Sequence, residues 1–213
     1  TEPRAATQRL CASWPMNAAC RRPRWHAPVR RRVSCWATGA RTGGPMNSDE
    51  AVPTGLPQGR LQGRSVFQQA VRDALLTAAR EGWNEIIVCD ADFADWPLGE
   101  RAVAEALQAW SRGGRRFVML AMRYEGIPRW HARFVKWRQT WDHIIECRVC
   151  RVSDALSFPS VLWTPAWVMQ RIDTEQDVLL CDHEAARRVG LRQLLDECRR
   201  DSSPGFPSSV LGL

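Results

Sequence analysis

The 213-residue sequence has no apolar run near the roughly 18 residues that a membrane-spanning helix requires. Its first residues lack the apolar segment of a secretory signal, so nothing in them predicts export. No repeat of solenoid length occurs, and Lys136 is the only lysine. These absences argue against a membrane protein and a repeat array, and they leave an ordinary globular fold.

The eight cysteines are scattered along the chain, and their spacing does not predict a disulfide framework. Cys89, Cys147 and Cys181 lie inside apolar strand patterns, where a free thiol behaves as a small hydrophobic group. This usage predicts a reducing, cytoplasmic location. Cys147 and Cys150 form a CxxC, but strand alternation sends their thiols to opposite faces, so we predict no metal site there.

The formal charge of +7 is concentrated at one end. Residues 1–45 hold nine arginines against one acid, whereas the remainder holds 21 basic and 22 acidic residues. Three interpretations of residues 1–45 stay open: a basic arm that contacts nucleic acid, an Arg-rich transit peptide, or translated upstream sequence before a start at Met46. The composition change at Met46 favours the third. For residues 46–213, near-neutrality argues against nucleic acid as a partner.

Periodicity predicts where order begins and ends. We expect a disordered leader and Pro/Gly linker over residues 1–63, a folded domain over 64–200 and an extended tail over 201–213. The predicted helices are 65–82, 103–110, 128–141 and 184–198, and the predicted strands are 85–89, 115–122, 144–152, 160–164, 167–172 and 177–181. The opening order of strand, helix, strand, helix, strand predicts a single α/β domain with a mixed, mainly parallel sheet flanked by helices.

Three aspartates, Asp90, Asp92 and Asp95, follow the first central strand, EIIVC. Carboxylates at a strand's carboxyl end can hold Mg²⁺ or act as nucleophile and acid/base. The alternative is that they cap the turn and solvate a loop. Asp182, after the strand DVLLC, is a further acidic candidate.

The helix predicted over 128–141 combines aromatic and basic residues. Trp130, Phe134, Trp137 and Trp141 fall on one face, which is typical of a core-facing stripe. The other faces of this helix are predicted to be solvated and to carry its basic residues, Arg129, Arg133, Lys136 and Arg138. Stacking and clamping of a nucleic acid strand is the competing interpretation.

The pattern around Asp90 resembles the first motif of haloacid-dehalogenase-type phosphatases. That resemblance implies Asp90 as nucleophile, Asp92 as general acid/base, Asp182 as a later acidic residue, and Mg²⁺ as cofactor. The chain departs from the family at Phe93 and Ala94, where a small or hydroxyl context is usual, and at Ala121 and Met122, where Ser or Thr is usual.

The segments FQQAVRDALLTAAREG, EIIVCDADFADW, RRFVMLAM and RWHARFVKWRQTWDHIIECRVCRV together resemble the phospholipase-D-like superfamily. They are most similar to its short, single-domain proteobacterial members of unassigned function. Active members use a His-x-Lys-x4-Asp signature, whose histidine attacks phosphorus. Here Arg133 and Arg138 stand where the lysine and aspartate would follow His131.

The phospholipase-D-like resemblance therefore implies a catalytically degenerate half domain with a binding or regulatory role, and no cofactor. Pairing of half domains in that family implies a possible homodimer. The residues predicted to contribute to binding are Asp95, His131, Arg133 and Asp182.

Overall fold

The computed structural model describes residues 55–151 and 158–207 of the chain. The predicted basic leader, residues 1–45, lies outside the described residues, as do segment 152–157 and the end of the predicted tail. No helix in the described part of the chain is long and apolar enough to cross a membrane.

Eight strands among the described residues form one open sheet. In chain order they are β1 (Gly59–Gln62), β2 (Glu85–Asp90), β3 (Arg116–Ala121), β4 (Ile145–Cys150), β5 (Ser160–Trp163), β6 (Val168–Asp173), β7 (Val178–Asp182) and β8 (Ser202–Pro204). Their order across the sheet is β1-β7-β6-β5-β2-β3-β4-β8. The predicted α/β class and mixed sheet are confirmed.

Only three adjacent strands of the sheet, β2, β3 and β4, are parallel, and the strands on either side of them are antiparallel. β2, β3 and β4 pair in parallel, with Cys89 opposite Leu120 and Met119 opposite Cys147. β5, β6 and β7 are joined by short connections, which can link only antiparallel neighbours. With β1 and β8 also antiparallel, parallel pairing is less extensive than the sequence predicts.

Helices cover both faces of the sheet. They are α1 (Arg64–Glu81), α2 (Arg101–Trp110), α3 (Ile127–Trp130), α4 (Ala132–Thr140) and α5 (Ala185–Arg200), and 3₁₀ turns at Pro97–Gly99 and Asp142–Ile144 precede α2 and β4. Alternate side chains of β2 enter different cores: Val88 packs with α1, α2 and α4, whereas Cys89 packs with Leu191 and Leu195 of α5.

Cys147 and Cys150 belong to these two different cores, so the predicted placement of their thiols on opposite faces is confirmed. Burial raises the pKa of the Cys147 thiol and raises that of Cys150 to about 11. Both side chains therefore act as packing groups within the described fold.

Four sequence predictions are wrong in detail. Residues 59–62, predicted as coil, form the edge strand β1 because they pair with β7. Trp130 is 47% exposed rather than part of the core stripe, since the helix breaks at His131 (φ −127°, ψ 49°). The helical pattern over 184–198 also predicts Val189 in the core, but Val189 is exposed and only Leu191 and Leu195 of α5 are buried.

The fourth correction concerns Arg138, which is buried rather than solvated. Its Nε donates to Cys147 Sγ at 3.3 Å, and its guanidinium lies 5.0 Å from the centre of the Phe206 ring. Arg138 thus joins α4 to the sheet instead of facing solvent.

Two adjacent leucines of α1 allow a matched stability test. Leu75 is buried in the core, whereas Leu76 is 48% exposed. We expect Leu75→Ala to lower the free energy of unfolding by about 3 kcal/mol, because it leaves a cavity. Leu76→Ala changes it by less than about 1 kcal/mol, since little apolar area leaves the interior. Urea denaturation of both variants measures the difference, and equal losses would contradict this orientation of α1.

Candidate functional site at the carboxyl edge of the central strands

Asp90 ends β2, and only 7% of the residue is exposed. Its Oδ1 accepts hydrogen bonds from the backbone N–H groups of Asp92 at 3.2 Å and Phe93 at 3.0 Å. Its Oδ2 accepts the hydroxyl of Ser160, the first residue of β5, at 2.6 Å. Both carboxylate oxygens are therefore bound by groups of the protein itself, as in an Asx turn.

The loop after β2, residues 91–95, is held in an uncommon backbone conformation. Phe93 has φ +60° although it carries a side chain, and its ring is buried edge-on against Trp96 at 5.0 Å. Asp92 Oδ1 accepts the Ala94 N–H at 3.1 Å, and Asp92 Oδ2 accepts Arg123 Nη2 at 2.7 Å. This hydrogen bond raises the pKa of Arg123, which lies two residues after the end of β3. The loop is thus fixed by its own carboxylates.

Asp95 is bound by two arginines. Arg171, a buried residue of β6, places Nη2 at 3.0 Å from Asp95 Oδ2 and at 2.5 Å from Asp177 Oδ1. Its guanidinium also lies 4.7 Å from the centre of the Phe67 ring. Arg64, at the start of α1, contacts Asp95 Oδ1 at 2.6 Å. Arg171 therefore links α1, the loop and the β6–β7 turn.

His131 lies beneath the same loop at the break between α3 and α4. It is buried, and its Nε2 is 2.8 Å from the carbonyl oxygen of Phe93. A carbonyl only accepts, so Nε2 carries the proton in the neutral ring. Nδ1 is buried and has no hydrogen-bond partner among the described residues. Burial lowers the pKa of the imidazole, against a smaller opposite effect of the Phe93 carbonyl.

Arg133 and Asp182 lie apart from this group. Arg133 Nη1 donates to the carbonyl of Gly99 at 3.0 Å, on the side facing α2. Asp182 pairs with Val168 at the opposite edge of the sheet, where its Oδ1 accepts the Glu184 N–H at 2.9 Å. The structure therefore brings Asp90, Asp92, Asp95 and His131 around one loop and leaves the other two predicted residues outside it.

Three residues that complete this edge were missed in the sequence. Arg123 could have been found, because it follows the next parallel strand and so reaches the same edge. Ser160 and Arg171 come from antiparallel strands whose pairing no local pattern fixes. Across the part of the chain that the structure describes, no group of three or more His, Cys, Asp and Glu side chains is arranged to hold a metal ion.

Among solved structures, the fold resembles TrmBL2, described as an archaeal chromatin protein with a novel mode of DNA binding, at 15% identity and a TM-score of 0.53. The likeness covers 72% of this chain and 57% of TrmBL2, so this chain spans little more than half of that protein. NucT from Helicobacter pylori is similar at 9% identity and a TM-score of 0.45, over 69% of this chain and 97% of that one.

No protein-family model and no curated protein matches the chain. At 15% identity, the likeness to TrmBL2 shows the α/β fold alone. The likeness to NucT, with its TM-score of 0.45, carries no argument about this chain. Evidence for a function must therefore come from the chain's own contacts.

Removing Arg171 tests whether it holds the loop in place. We expect Arg171→Met to lower the free energy of unfolding by about 2–3 kcal/mol, because Asp95 and Asp177 lose their shared partner. This expected loss is smaller than the roughly 3–5 kcal/mol usual for breaking a fully buried ion pair, since Asp95 keeps 33% of its side chain exposed. In the control Arg80→Met, an exposed ion pair is lost and the change stays below about 0.5 kcal/mol. Equal effects in urea denaturation would refute the difference.

The buried imidazole of His131 predicts a pH dependence of stability. Its pKa in the folded state is lowered from 6.5, so on acidification the unfolded chain binds a proton that the folded chain refuses. The free energy of unfolding should therefore decrease from pH 7 to pH 5. We expect this decrease to be smaller in His131→Gln, whose amide can still donate to Phe93.

The matched control for that measurement is His143→Gln, because His143 is exposed. It should retain the full decrease of the wild type in denaturant titrations at pH 7 and pH 5. A His131→Gln protein with the same pH dependence as the wild type would show that His131 is not held neutral by burial.

Proposed function

We propose that this chain is a catalytically degenerate phospholipase-D-like domain that acts by binding or regulation. The observation that carries the proposal is the state of Asp90. A nucleophilic carboxylate needs a free oxygen facing the substrate. Both oxygens of Asp90 are instead engaged, by two backbone N–H groups and by Ser160.

The histidine best placed to imitate the family's nucleophile supports the same conclusion. His131 is buried, its Nε2 is directed at the Phe93 carbonyl, and neither nitrogen is open to solvent. Arg133, at the position of the signature lysine, is directed at Gly99 and away from the loop. An attacking imidazole and a cation beside the phosphate are thus both lacking in this arrangement.

The rival is a Mg²⁺-dependent phosphohydrolase that uses Asp90 and Asp92. It requires Asp90 to release its hydrogen bonds and Asp92 to release Arg123 before either can act. No contact of the described residues favours that rearrangement. The proposal therefore assigns the aspartates to loop structure.

Turnover assays separate the two functions. The full chain is incubated with a phosphomonoester and a phosphodiester, p-nitrophenyl phosphate and bis-p-nitrophenyl phosphate, with and without Mg²⁺. We expect rates no higher than those of Asp90→Asn under every condition, and no change in melting temperature on adding Mg²⁺.

The control is Asp182→Asn, the same substitution at the opposite edge of the sheet. Mg²⁺-dependent turnover that Asp182→Asn retains and a folded Asp90→Asn loses would overturn the degenerate assignment in favour of the phosphohydrolase.

A further inference from the structure

A groove between α2 and α4 is lined by four basic residues and a single acidic one. We propose that this groove binds single-stranded nucleic acid. This proposal rests on the binding role proposed above and names the ligand. The groove is lined by Arg101, Ala104, Glu105, Gln108, Ala109 and Arg112 from the α2 side, and by Arg133, Lys136, Trp137 and Thr140 from α4. It shares no residue with the loop that follows β2.

Charge distinguishes this groove from the rest of the domain. Arg112, Arg133 and Lys136 are exposed, and none of them forms an ion pair within the described residues. Glu105, the one acid of the lining, is already paired with Arg101 at 2.7 Å. The groove is therefore a local positive pole in a region, residues 46–213, that carries 21 basic and 22 acidic residues.

The length of the groove accommodates an extended ligand. The helical part of its α2 wall, from Arg101 to Ala109, is about 12 Å long at about 1.5 Å per helical residue. The groove is open to solvent along this length, so a single extended strand can lie in it with successive phosphates near the basic residues.

The chemistry of the lining favours phosphate as the ligand's charged group. Arginine forks bind phosphate oxygens in pairs, and Lys136 adds a point charge in the middle of the α4 wall. Ala104 and Ala109, with the buried Trp137 beside them, provide an apolar floor for sugars and bases. Few donors reach this floor, so binding should depend on the backbone and only weakly on base sequence.

Fluorescence anisotropy of the full chain with a labelled 12-nucleotide oligo(dT) tests the proposal. The groove variant is Arg112→Glu/Arg133→Glu/Lys136→Glu. The control is Arg60→Glu/Arg80→Glu/Arg200→Glu, three exposed arginines outside the groove. Both triple variants change the net charge equally, so the contribution of the basic residues 1–45 is matched.

We expect the groove variant to bind at least tenfold more weakly than the control. The slope of log affinity against log salt should also fall by about 2, from about 0.7 for each of three lost phosphate contacts. If the groove variant melts early, Arg112→Gln/Arg133→Gln/Lys136→Gln replaces it, with the matching Gln control.

Equal affinities for the two triple variants, or no binding by the wild type, would overturn the proposal. The proposal would also fail if the groove variant lost binding of labelled poly-glutamate but bound oligo(dT) as well as the control does. That result would identify an acidic protein segment as the ligand. These outcomes would leave the structural role of Asp90 intact. Turnover that depends on Asp90 would instead overturn the degenerate assignment and leave the proposed nucleic-acid groove untouched.

Discussion

One buried carboxylate, that of Asp90, adds a side-chain link between the parallel and antiparallel parts of the sheet, at the end of the backbone ladder that pairs β2 with β5. Oδ2 accepts from Ser160 of β5, while Oδ1 accepts from the loop that leads away from β2. These bonds keep Phe93 at a positive φ, and the Phe93 carbonyl then reaches His131, where α3 and α4 break. A buried donor without its acceptor costs about 1–3 kcal/mol, so the loop and the helix break depend on this one group.

The same pattern of residues fits a nucleophile and a turn cap, and only contacts separate the two. In the sequence, hhhhDxD places carboxylates at a strand end and is compatible with both. In the structure, Asp90, Asp92 and Asp95 each bind backbone N–H groups, arginines or a hydroxyl within the domain. Acidic groups satisfied in this way stabilise a loop at an edge where open α/β sheets commonly place ligands.

The sequence predicted the centre of the fold better than its borders. β2, β3, β4 and α2 carry strong local periodicity and form as predicted, and the helix predicted over 128–141 forms except for its break at His131. β1 begins at Gly59 and is followed by Gly63, so its sequence does not favour a strand, and it forms one through its pairing with β7. Likewise, Ser160 and Arg171 reach the loop through antiparallel pairing between segments about 70 to 80 residues downstream of it. Long-range pairing of this kind leaves no local pattern to read.

Net charge does not describe local charge, because it averages over a surface that folding separates into regions. The sequence places Arg112 and Lys136 in different helices, and near-neutrality of residues 46–213 argued against nucleic acid. Packing of α2 against α4, through Trp137 on Ser111 and Trp141 on Gln108, sets their basic residues along one groove. Several acids of the domain lie away from this groove, paired with Arg171, Arg123 and Arg192. The carboxylates at the sheet edge are bound within the domain, whereas exposed cations of the groove form no ion pair within the described residues. Together these observations favour the helices over the sheet edge as the binding surface that we propose.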